Sequence, residues 1–143
     1  MTRPVPRGRD AYRHFTTITT RWGDNDAYGH VNNTIYYHGF DSAVNSLLIG
    51  AGLLDSHHGD PIGLVVETGC TYFAPLGFPG DVEAGIAIDR LGGSSVTYRI
   101  GIFAAGSDEP AAQGHFTHVY VARQSRRPVQ LPDDWREKLL QLV

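Results

Sequence analysis

Apolar and polar residues follow two periods along this chain, one typical of strands and one typical of a helix. The strand-like segments are rich in β-branched and aromatic residues and are separated by turns that contain glycine, proline or serine. Five strands are predicted, over residues 14–22, 64–73, 80–91, 95–104 and 111–123. Because turn signals separate the last four, these strands are predicted to form an antiparallel meander.

The helical period falls between the first two predicted strands. Residues 34–49 carry apolar side chains three and four positions apart, which is the spacing of one helix face. The residues of this face are Ile35, Tyr36, Phe40, Ala43, Val44, Leu47 and Leu48. A second, short helix is predicted over residues 132–142.

One long helix and five predicted strands indicate an α+β fold with a curved sheet. The helix must lie across one face of the sheet to bury its apolar side. The chain has 143 residues and is 41% hydrophobic, which fits a single domain over residues 1–143 with one core. The polar residues 1–12 are predicted to form an extended or flexible arm. The open sheet edges predict that copies of the chain associate through the sheet.

Charge and cysteine content narrow the possible functions. The net charge of −3 gives no basic field that would attract nucleic acid or an anionic membrane. No apolar run approaches the roughly 20 residues that span a bilayer, and the N-terminus lacks the apolar core of a secretory signal. The single cysteine, Cys70, lies in an alternating segment typical of a buried structural thiol, and a reactive thiol is the alternative. These features predict a cytoplasmic protein.

Most of the candidate chemistry lies between the first strand and the long helix. Residues 21–37 contain two carboxylates, a histidine, asparagines and two glycines. Asn32 stands where a helix needs a capping acceptor. The first N–H groups of a helix have no intrahelical acceptor and lie at its positive end, so the N–H of Asn33 or of Thr34 can polarise a carbonyl oxygen. Asp26 is close enough in sequence to attack the same carbonyl or to activate water there.

Other polar side chains have more than one interpretation. Asp24 is interpreted as a cap or an ion-pair partner of Arg21, with catalysis as the alternative. His30 is a structural side chain bonded to an aspartate, a site residue that orients the substrate, or a metal ligand together with the aspartates. Because no second histidine lies at ligand spacing, no metal site is predicted. His115 and His118, three residues apart in a strand, are predicted to point to opposite faces.

The same segment resembles a family signature. Residues 22–26 (Trp-Gly-Asp-Asn-Asp), residues 29–33 (Gly-His-Val-Asn-Asn) and Tyr36 are similar to the signature of hot-dog fold acyl-CoA thioesterases of the 4-hydroxybenzoyl-CoA thioesterase branch. Three further stretches extend the similarity over almost the whole chain: residues 73–76, 89–95 and 127–132. The resemblance implies the hot-dog fold, in which a curved five-stranded antiparallel sheet wraps a long central helix.

The resemblance also implies a reaction. The second aspartate of the family signature, which corresponds to Asp26, is the catalytic carboxylate in that branch. The backbone N–H seven residues later, here that of Asn33, polarises the thioester carbonyl. This implies hydrolysis of an acyl-CoA or of an acyl-carrier-protein thioester, with Asp26 as nucleophile or as general base. CoA is then part of the substrate, and no separate cofactor is expected.

Residues that would bind the CoA nucleotide are implied by the same resemblance, near the turn after the third strand. These residues are Arg90, Ser94 and Ser95. Weaker candidates form the main basic cluster of the chain, for which a solvated strand end is the alternative. This cluster consists of Arg123, Arg126 and Arg127.

An acyl pocket is expected next to Asp26. It would draw on Tyr28, Tyr36, Phe40, Leu47 and Phe73, for which plain core packing is the alternative. Gly29 would let the backbone approach the substrate, and Asn32 would cap the helix beside it. The sequence His-Val-Asn-Asn at residues 30–33 departs from the 4-hydroxybenzoyl enzyme and is similar to broader acyl thioesterases. It predicts a fatty or another small acyl group.

Two other functions remain open, because this fold does not determine one activity. A non-catalytic acyl-CoA-binding protein would keep the pocket and would not need the carboxylate. An (R)-specific enoyl-CoA hydratase carries Gly-Asp-x-Asn-Pro-x-His, of which this chain matches Gly23 and Asp24 but lacks the Asn-Pro pair. Sites in the resembling family lie at a dimer interface, so a homodimer or a homotetramer is expected.

Overall fold

The computed structural model describes residues 2–55 and 57–143, so that Met1, at the start of the predicted arm, and Ser56 lie outside the described residues. Helix α1 spans Asn33–Gly50, one residue longer at each end than predicted. The strands are β1 (His14–Thr19), β2 (Ile62–Tyr72), β3 (Asp81–Leu91), β4 (Ser95–Ala104) and β5 (Ala112–Val121), and the short helix α2 spans Asp133–Leu139.

The five strands form one antiparallel sheet in the order β1-β3-β4-β5-β2. The antiparallel sheet was predicted correctly, but the prediction that the last four strands form one meander is wrong for β2, which pairs with β5. Residues 73–80, the β2–β3 linker, carry the chain from β2 to the start of β3, two strands beyond β5 in the sheet. Turn residues mark where a strand ends, and they do not identify the strand with which it pairs.

Helix α1 packs on the inner face of the curved sheet, through the apolar helix face that the sequence predicted. Phe40 and Val44 have no exposed surface, and Leu48 is 2% exposed. The Phe40 ring lies against Gly114 of β5, where a Cβ atom would come within 2.5 Å of the ring. Each large apolar side chain buried in this way contributes about 1.5–3 kcal/mol. The predicted α+β fold with a central helix is therefore confirmed.

The N-terminal arm, residues 2–12, packs on the outer face of the sheet. Tyr12 is 5% exposed, and its ring lies over Gly85 and Gly101, which are direct partners across β3 and β4. A Cβ atom at Gly101 would come within 2.6 Å of the Tyr12 ring, so a side chain at this position would displace the ring. Arg9 adds an ion pair with Glu83 at 2.8 Å.

The largest differences between predicted and observed element boundaries are at the ends of β1 and α2, and the other strand and helix boundaries agree within two residues. Strand β1 ends at Thr19 rather than at residue 22, because residues 22–24 form a 3-10 turn. Helix α2 ends at Leu139 and continues as a 3-10 turn over residues 140–142. None of the helices in the described part of the chain has the length and apolar character needed to cross a membrane.

Candidate active site

Asp24 organises the connection between β1 and α1. Its buried carboxylate accepts hydrogen bonds from the Arg21 backbone N–H at 2.8 Å and from the Arg21 guanidinium at 2.9 Å. Its backbone carbonyl accepts from the N–H of Asn32 at 2.8 Å. Burial raises the pKa of the Asp24 carboxyl, but the hydrogen bonds from Arg21 outweigh burial and hold the pKa below its ordinary value. The interpretation of Asp24 as a cap and as a partner of Arg21 is confirmed.

Asp26 lies at the base of a tight loop that ends at His30. The Asp26 N–H donates to the His30 carbonyl at 2.7 Å, and the Gly29 N–H donates to the Asp26 carbonyl at 3.1 Å. Gly29 has a φ of 77°, a conformation that glycine adopts without strain. One carboxylate oxygen, Asp26 Oδ1, accepts from the N–H groups of Tyr28 at 2.8 Å and of His30 at 3.2 Å. The other oxygen, Oδ2, accepts a hydrogen bond from none of the described residues.

The N-terminus of α1 distinguishes between the two N–H groups that the sequence left as alternatives. Asn32 Oδ1 caps the helix and accepts from the Thr34 N–H at 3.0 Å and from the Thr34 hydroxyl at 3.0 Å. The N–H of Asn33, the first helical residue, has no acceptor within residues 2–55 and 57–143. Since the Thr34 N–H is already used, the Asn33 N–H is the group that remains available to a ligand.

Asp26 and Asn33 line the same cavity, which has a volume of about 430 Å³. The β2–β3 linker forms another part of its wall. The lining residues are Asp26, His30, Val31, Asn33, Tyr36, Tyr72, Phe73, Ala74 and Pro75. Tyr36 and Tyr72 pack edge to face with ring centroids 4.9 Å apart, and the Tyr72 hydroxyl donates to the Asn33 carbonyl at 3.4 Å. The cavity therefore combines a carboxylate, a helix N-terminus and aromatic surface.

The structure brings together some of the predicted site residues. Those that line the cavity are Asp26, His30, Asn33, Tyr36 and Phe73. Gly29 and Asn32 form the loop and the cap beside it. Tyr28 is 86% exposed and does not line the cavity. Phe40 is fully buried and Leu47 packs against the core, so core packing describes both of these residues.

The residues predicted to bind the CoA nucleotide lie at the opposite end of the sheet. These are Arg90, Ser94 and Ser95. Ser95 pairs with Val119 of β5, whereas Tyr72, beside the cavity, pairs with Ala112. The positions 112 and 119 are separated by roughly 23 Å of extended strand. Within one chain, these three residues are therefore not brought together with Asp26.

The basic cluster lies at that same distant end, just after β5. The Arg123 guanidinium donates to the Gly59 carbonyl at 2.6 Å. Arg126 occupies a turn with a φ of 62°. Arg127 follows in that turn, and its backbone carbonyl accepts from the Ala122 N–H at 2.9 Å. Like Arg90, this cluster is remote from the cavity of its own chain.

Sequence reasoning missed Val31 as a lining residue, and it also missed Tyr72, Ala74 and Pro75. The last three belong to the end of β2 and to the β2–β3 linker, which reaches the site because the Val31 N–H donates to the Leu76 carbonyl at 2.7 Å. A signal was present in the sequence, since residues 73–76 already carry part of the family resemblance.

Three further side chains with candidate chemistry lie elsewhere. His115 is on the outer sheet face, 2.6 Å from Glu67 Oε1, and His118 is buried on the inner face, so the prediction of opposite faces is confirmed. Burial lowers the pKa of His118 to about 4. Cys70 is half-buried, and burial raises the pKa of its thiol to about 11, which fits a structural thiol. No group of three potential metal ligands occurs in the part of the chain that the structure describes.

Solved structures with this architecture are hot-dog fold proteins. The PA5185 protein of Pseudomonas aeruginosa is 50% identical, with 96% of each chain covered and a TM-score of 0.93. The BH1999 gentisyl-coenzyme A thioesterase is 25% identical, over 88% of this chain and 99% of that one, with a TM-score of 0.78. Slr0204, a 1,4-dihydroxy-2-naphthoyl-CoA thioesterase from Synechocystis, is 21% identical, over 90% and 96%, with a TM-score of 0.80, and supports the fold alone.

The fold and the matched sequence together define a thioester hydrolase. The chain belongs to the thioesterase-like superfamily, whose family model matches residues 20–139. No curated protein matches the chain. The match to the family model confirms the family resemblance that was based on residues 22–36.

Proposed function

We propose that this chain hydrolyses acyl-CoA thioesters, with the Asp26 carboxylate and the Asn33 N–H as the two groups that act on the scissile bond. One observation carries the proposal: Asp26 Oδ2 and the Asn33 N–H have no partner among the described residues, and both residues line one cavity. Hydrolysis of a thioester by a carboxylate uses such a pair, a hydrogen-bond donor for the carbonyl oxygen and a carboxylate near the carbonyl carbon.

In the proposed reaction the thioester carbonyl oxygen accepts a hydrogen bond from the Asn33 N–H. The positive end of the α1 dipole stabilises the negative charge that develops on this oxygen. Asp26 either attacks the carbonyl carbon, which gives a mixed anhydride that water then cleaves, or removes a proton from an attacking water. Both routes release the CoA thiol and a free carboxylic acid and consume one water.

His30 has a positioning part in this proposal, through its backbone rather than its ring. Its N–H donates to Asp26 Oδ1, and its carbonyl accepts from the Asp26 N–H. These bonds hold the carboxylate so that Oδ2 is left for the substrate. The imidazole is exposed at the cavity and is available to contact the acyl group or the pantetheine arm.

The acyl group is proposed to occupy the cavity between Tyr36 and Phe73. The gentisyl-coenzyme A thioesterase is named for an aromatic CoA thioester, whereas the sequence of this chain favours a fatty or another small acyl group. The aromatic surface of Tyr36, Tyr72 and Phe73 can pack on a ring or on a short aliphatic chain. A substrate panel therefore needs benzoyl, dihydroxybenzoyl, short-chain and medium-chain acyl groups, on CoA and on acyl carrier protein.

We also propose that the chain works as a homodimer or homotetramer. Strand β2 is an edge of the sheet, and its Val65 and Val66 are 47% and 57% exposed. An exposed apolar edge strand favours pairing with another strand. Arg90, Ser94 and Ser95 can contribute to a cavity only from a second copy, since they are remote from Asp26 in their own chain. Sedimentation at micromolar concentration tests this proposal, and a clean monomer would contradict it.

The reaction is tested by measuring free thiol released from the acyl-CoA panel by the native chain and by Asp26→Asn. Asp134→Asn, an exposed residue of α2 remote from the cavity, is the matched control. We expect native and control rates to agree and Asp26→Asn to be slower by about a hundredfold or more. Binding of acyl-CoA without cleavage by the native chain would show a binding protein instead. Equal rates for native and Asp26→Asn would remove Asp26 from the mechanism.

A further inference from the structure

The β2–β3 linker supplies one wall of the Asp26 cavity, through Phe73, Ala74 and Pro75. Its first residues are fixed to the sheet, because the Phe73 and Ala74 N–H groups both donate to the Ala111 carbonyl, at 2.8 and 3.1 Å. The remainder of the linker leaves the sheet and lies against the loop that carries Asp26. The distance between this wall and the carboxylate therefore depends on how the linker and the loop contact each other.

Three contacts join the linker to the loop. The Val31 N–H donates to the Leu76 carbonyl at 2.7 Å, which is a main-chain contact. Gly77 passes so close to Gly29 that a Cβ atom at Gly77 would lie 2.9 Å from the Gly29 carbonyl oxygen. The third contact involves a side chain, because Asn25 Oδ1 accepts from the Phe78 N–H at 3.0 Å.

Asn25 immediately precedes Asp26, and its backbone forms an isolated antiparallel bridge with Val31. Its side chain does not line the cavity; it is half-buried and bonds to the linker. The Trp22 ring packs edge to face on the Phe78 ring at 6.1 Å and supports the same contact from the outside. The Asn25 side chain therefore joins the segment that carries Asp26 to the linker that forms the facing wall of the cavity.

We propose that Asn25 is a positioning residue for thioester hydrolysis, whose side chain holds the β2–β3 linker against the Asp26 loop and so sets the width of the substrate cavity. This inference rests on the proposed function. Removal of the Asn25 amide leaves the Phe78 N–H without its acceptor and releases the linker on one side. Asp26 keeps its hydrogen bonds from Tyr28 and His30, so the chemical step is preserved while substrate binding weakens.

The test compares steady-state kinetics and amide exchange in the native chain, in Asn25→Ala and in Asn45→Ala. Asn45 is a matched control on α1, because among the described residues its amide bonds only to Asp41, about three helical turns from the N-terminus of α1. We expect Asn25→Ala to raise KM about fivefold, the effect of one lost hydrogen bond, with kcat within about twofold of native. The Phe78 amide should exchange faster in Asn25→Ala, and the amides of β4 should keep their native rates.

Gly77→Ala perturbs the contact between the linker and the loop from the linker side. It is a second test of this contact that leaves Asn25 unchanged. Its Cβ would push against the Gly29 carbonyl, so it should also raise KM with little change in kcat. An unchanged KM in both variants, or a fall in kcat at constant KM in Asn25→Ala, would overturn the inference. Each of these two outcomes can be observed only if the native chain cleaves thioesters. If the proposed function fails, the native chain itself is inactive, so the two failures are distinguishable.

Discussion

Two of the regions in which polar atoms have no hydrogen-bond partner among the described residues differ in what surrounds those atoms. At the Asp26 cavity, the Asn33 N–H and Asp26 Oδ2 face space that a ligand can enter. Beneath α1, His118 Nδ1 is buried without a partner between aromatic rings, with Phe116 and Tyr120 centroids at 4.9 and 5.7 Å. The first pair can be satisfied by a substrate, whereas no ligand can reach the second site.

The unpaired atoms in the cavity therefore bear on catalysis, whereas the unpaired atom beneath α1 bears on the stability of the fold. An unpaired group in a cavity is hydrated until substrate replaces the water, so it costs little in the free protein. An unpaired buried group costs about 1–3 kcal/mol permanently. For His118 the same burial favours the neutral imidazole and lowers the pKa to about 4, although the carboxylate of Asp41 favours the charged form. The cavity should therefore control the rate of the reaction, and the aromatic layer formed by Phe116, His118 and Tyr120 should control the stability of the fold in acid.

The largest expected effect is on rate, at the cavity. Asp26→Asn should lower thioester hydrolysis by about a hundredfold or more, because the amide can neither attack the carbonyl nor take a proton from water. Its free energy of unfolding should remain close to native, since an amide oxygen can still accept from the Tyr28 and His30 N–H groups. Kinetics and urea denaturation on the same preparation check this. A large loss of stability would show that Asp26 also supports the fold.

The next effect is on stability, in the aromatic layer. Between pH 6.5 and about 4 the unfolded chain protonates His118 and the folded chain does not, so the unfolding free energy falls as the pH falls. This group should account for about 3 kcal/mol of that loss. In His118→Phe the stability should depend less on pH in this window, and hydrolysis at neutral pH should remain native. Denaturation curves at several pH values provide the measurement. Parallel pH profiles for the two proteins would contradict the assignment.

A smaller effect on stability should distinguish two glycines in the connection between β1 and α1. Gly29 has a φ of 77°, whereas Gly23 has no positive φ, and both have open space where a Cβ would lie. Gly29→Ala should cost about 1–2 kcal/mol of stability, because alanine is strained in the left-handed region. Gly23→Ala should change stability little. Equal effects in the two variants would mean that the loop relaxes to another conformation.

The smallest predicted effect concerns the cap of α1. Asn32→Ala should cost about 1 kcal/mol, because the Thr34 N–H loses its acceptor at the helix end. Asn32→Asp should retain most of the stability, since a carboxylate caps equally well. Chemical denaturation of the three proteins gives the comparison. If Asn32→Asp were as unstable as Asn32→Ala, capping would not be the reason for the loss.

Local chemistry was predictable from the sequence, and long-range pairing was not. The spacing of apolar residues located α1, and the position of Asn32 identified its cap. The distinction between the Asn33 and Thr34 N–H groups depends on which one the Asn32 side chain accepts from, and this requires coordinates. The pairing of β2 with β5 joins residues far apart in sequence, and no local turn signal specifies it.

The placement of the predicted nucleotide-binding residues illustrates the same limit. Arg90 belongs to the end of β3 that is farthest from the cavity, and the sequence gives no measure of that separation. By contrast, Asp26, His30 and Asn33 are close in sequence and are kept close by one loop and one helix terminus. Sites built within a single loop can be predicted from sequence more readily than sites assembled from several strands.

The Tyr12 ring over Gly85 and Gly101 implies a rule for how related chains can diverge. A related chain without the arm would have room for a side chain at position 101, whereas Gly85 would still face the Phe15 ring of β1. A chain with a side chain at position 101 could no longer accommodate the Tyr12 ring. Positions 12 and 101 should therefore change together among homologues, and an alignment in which Tyr12 persists opposite a bulky residue at position 101 would contradict this expectation.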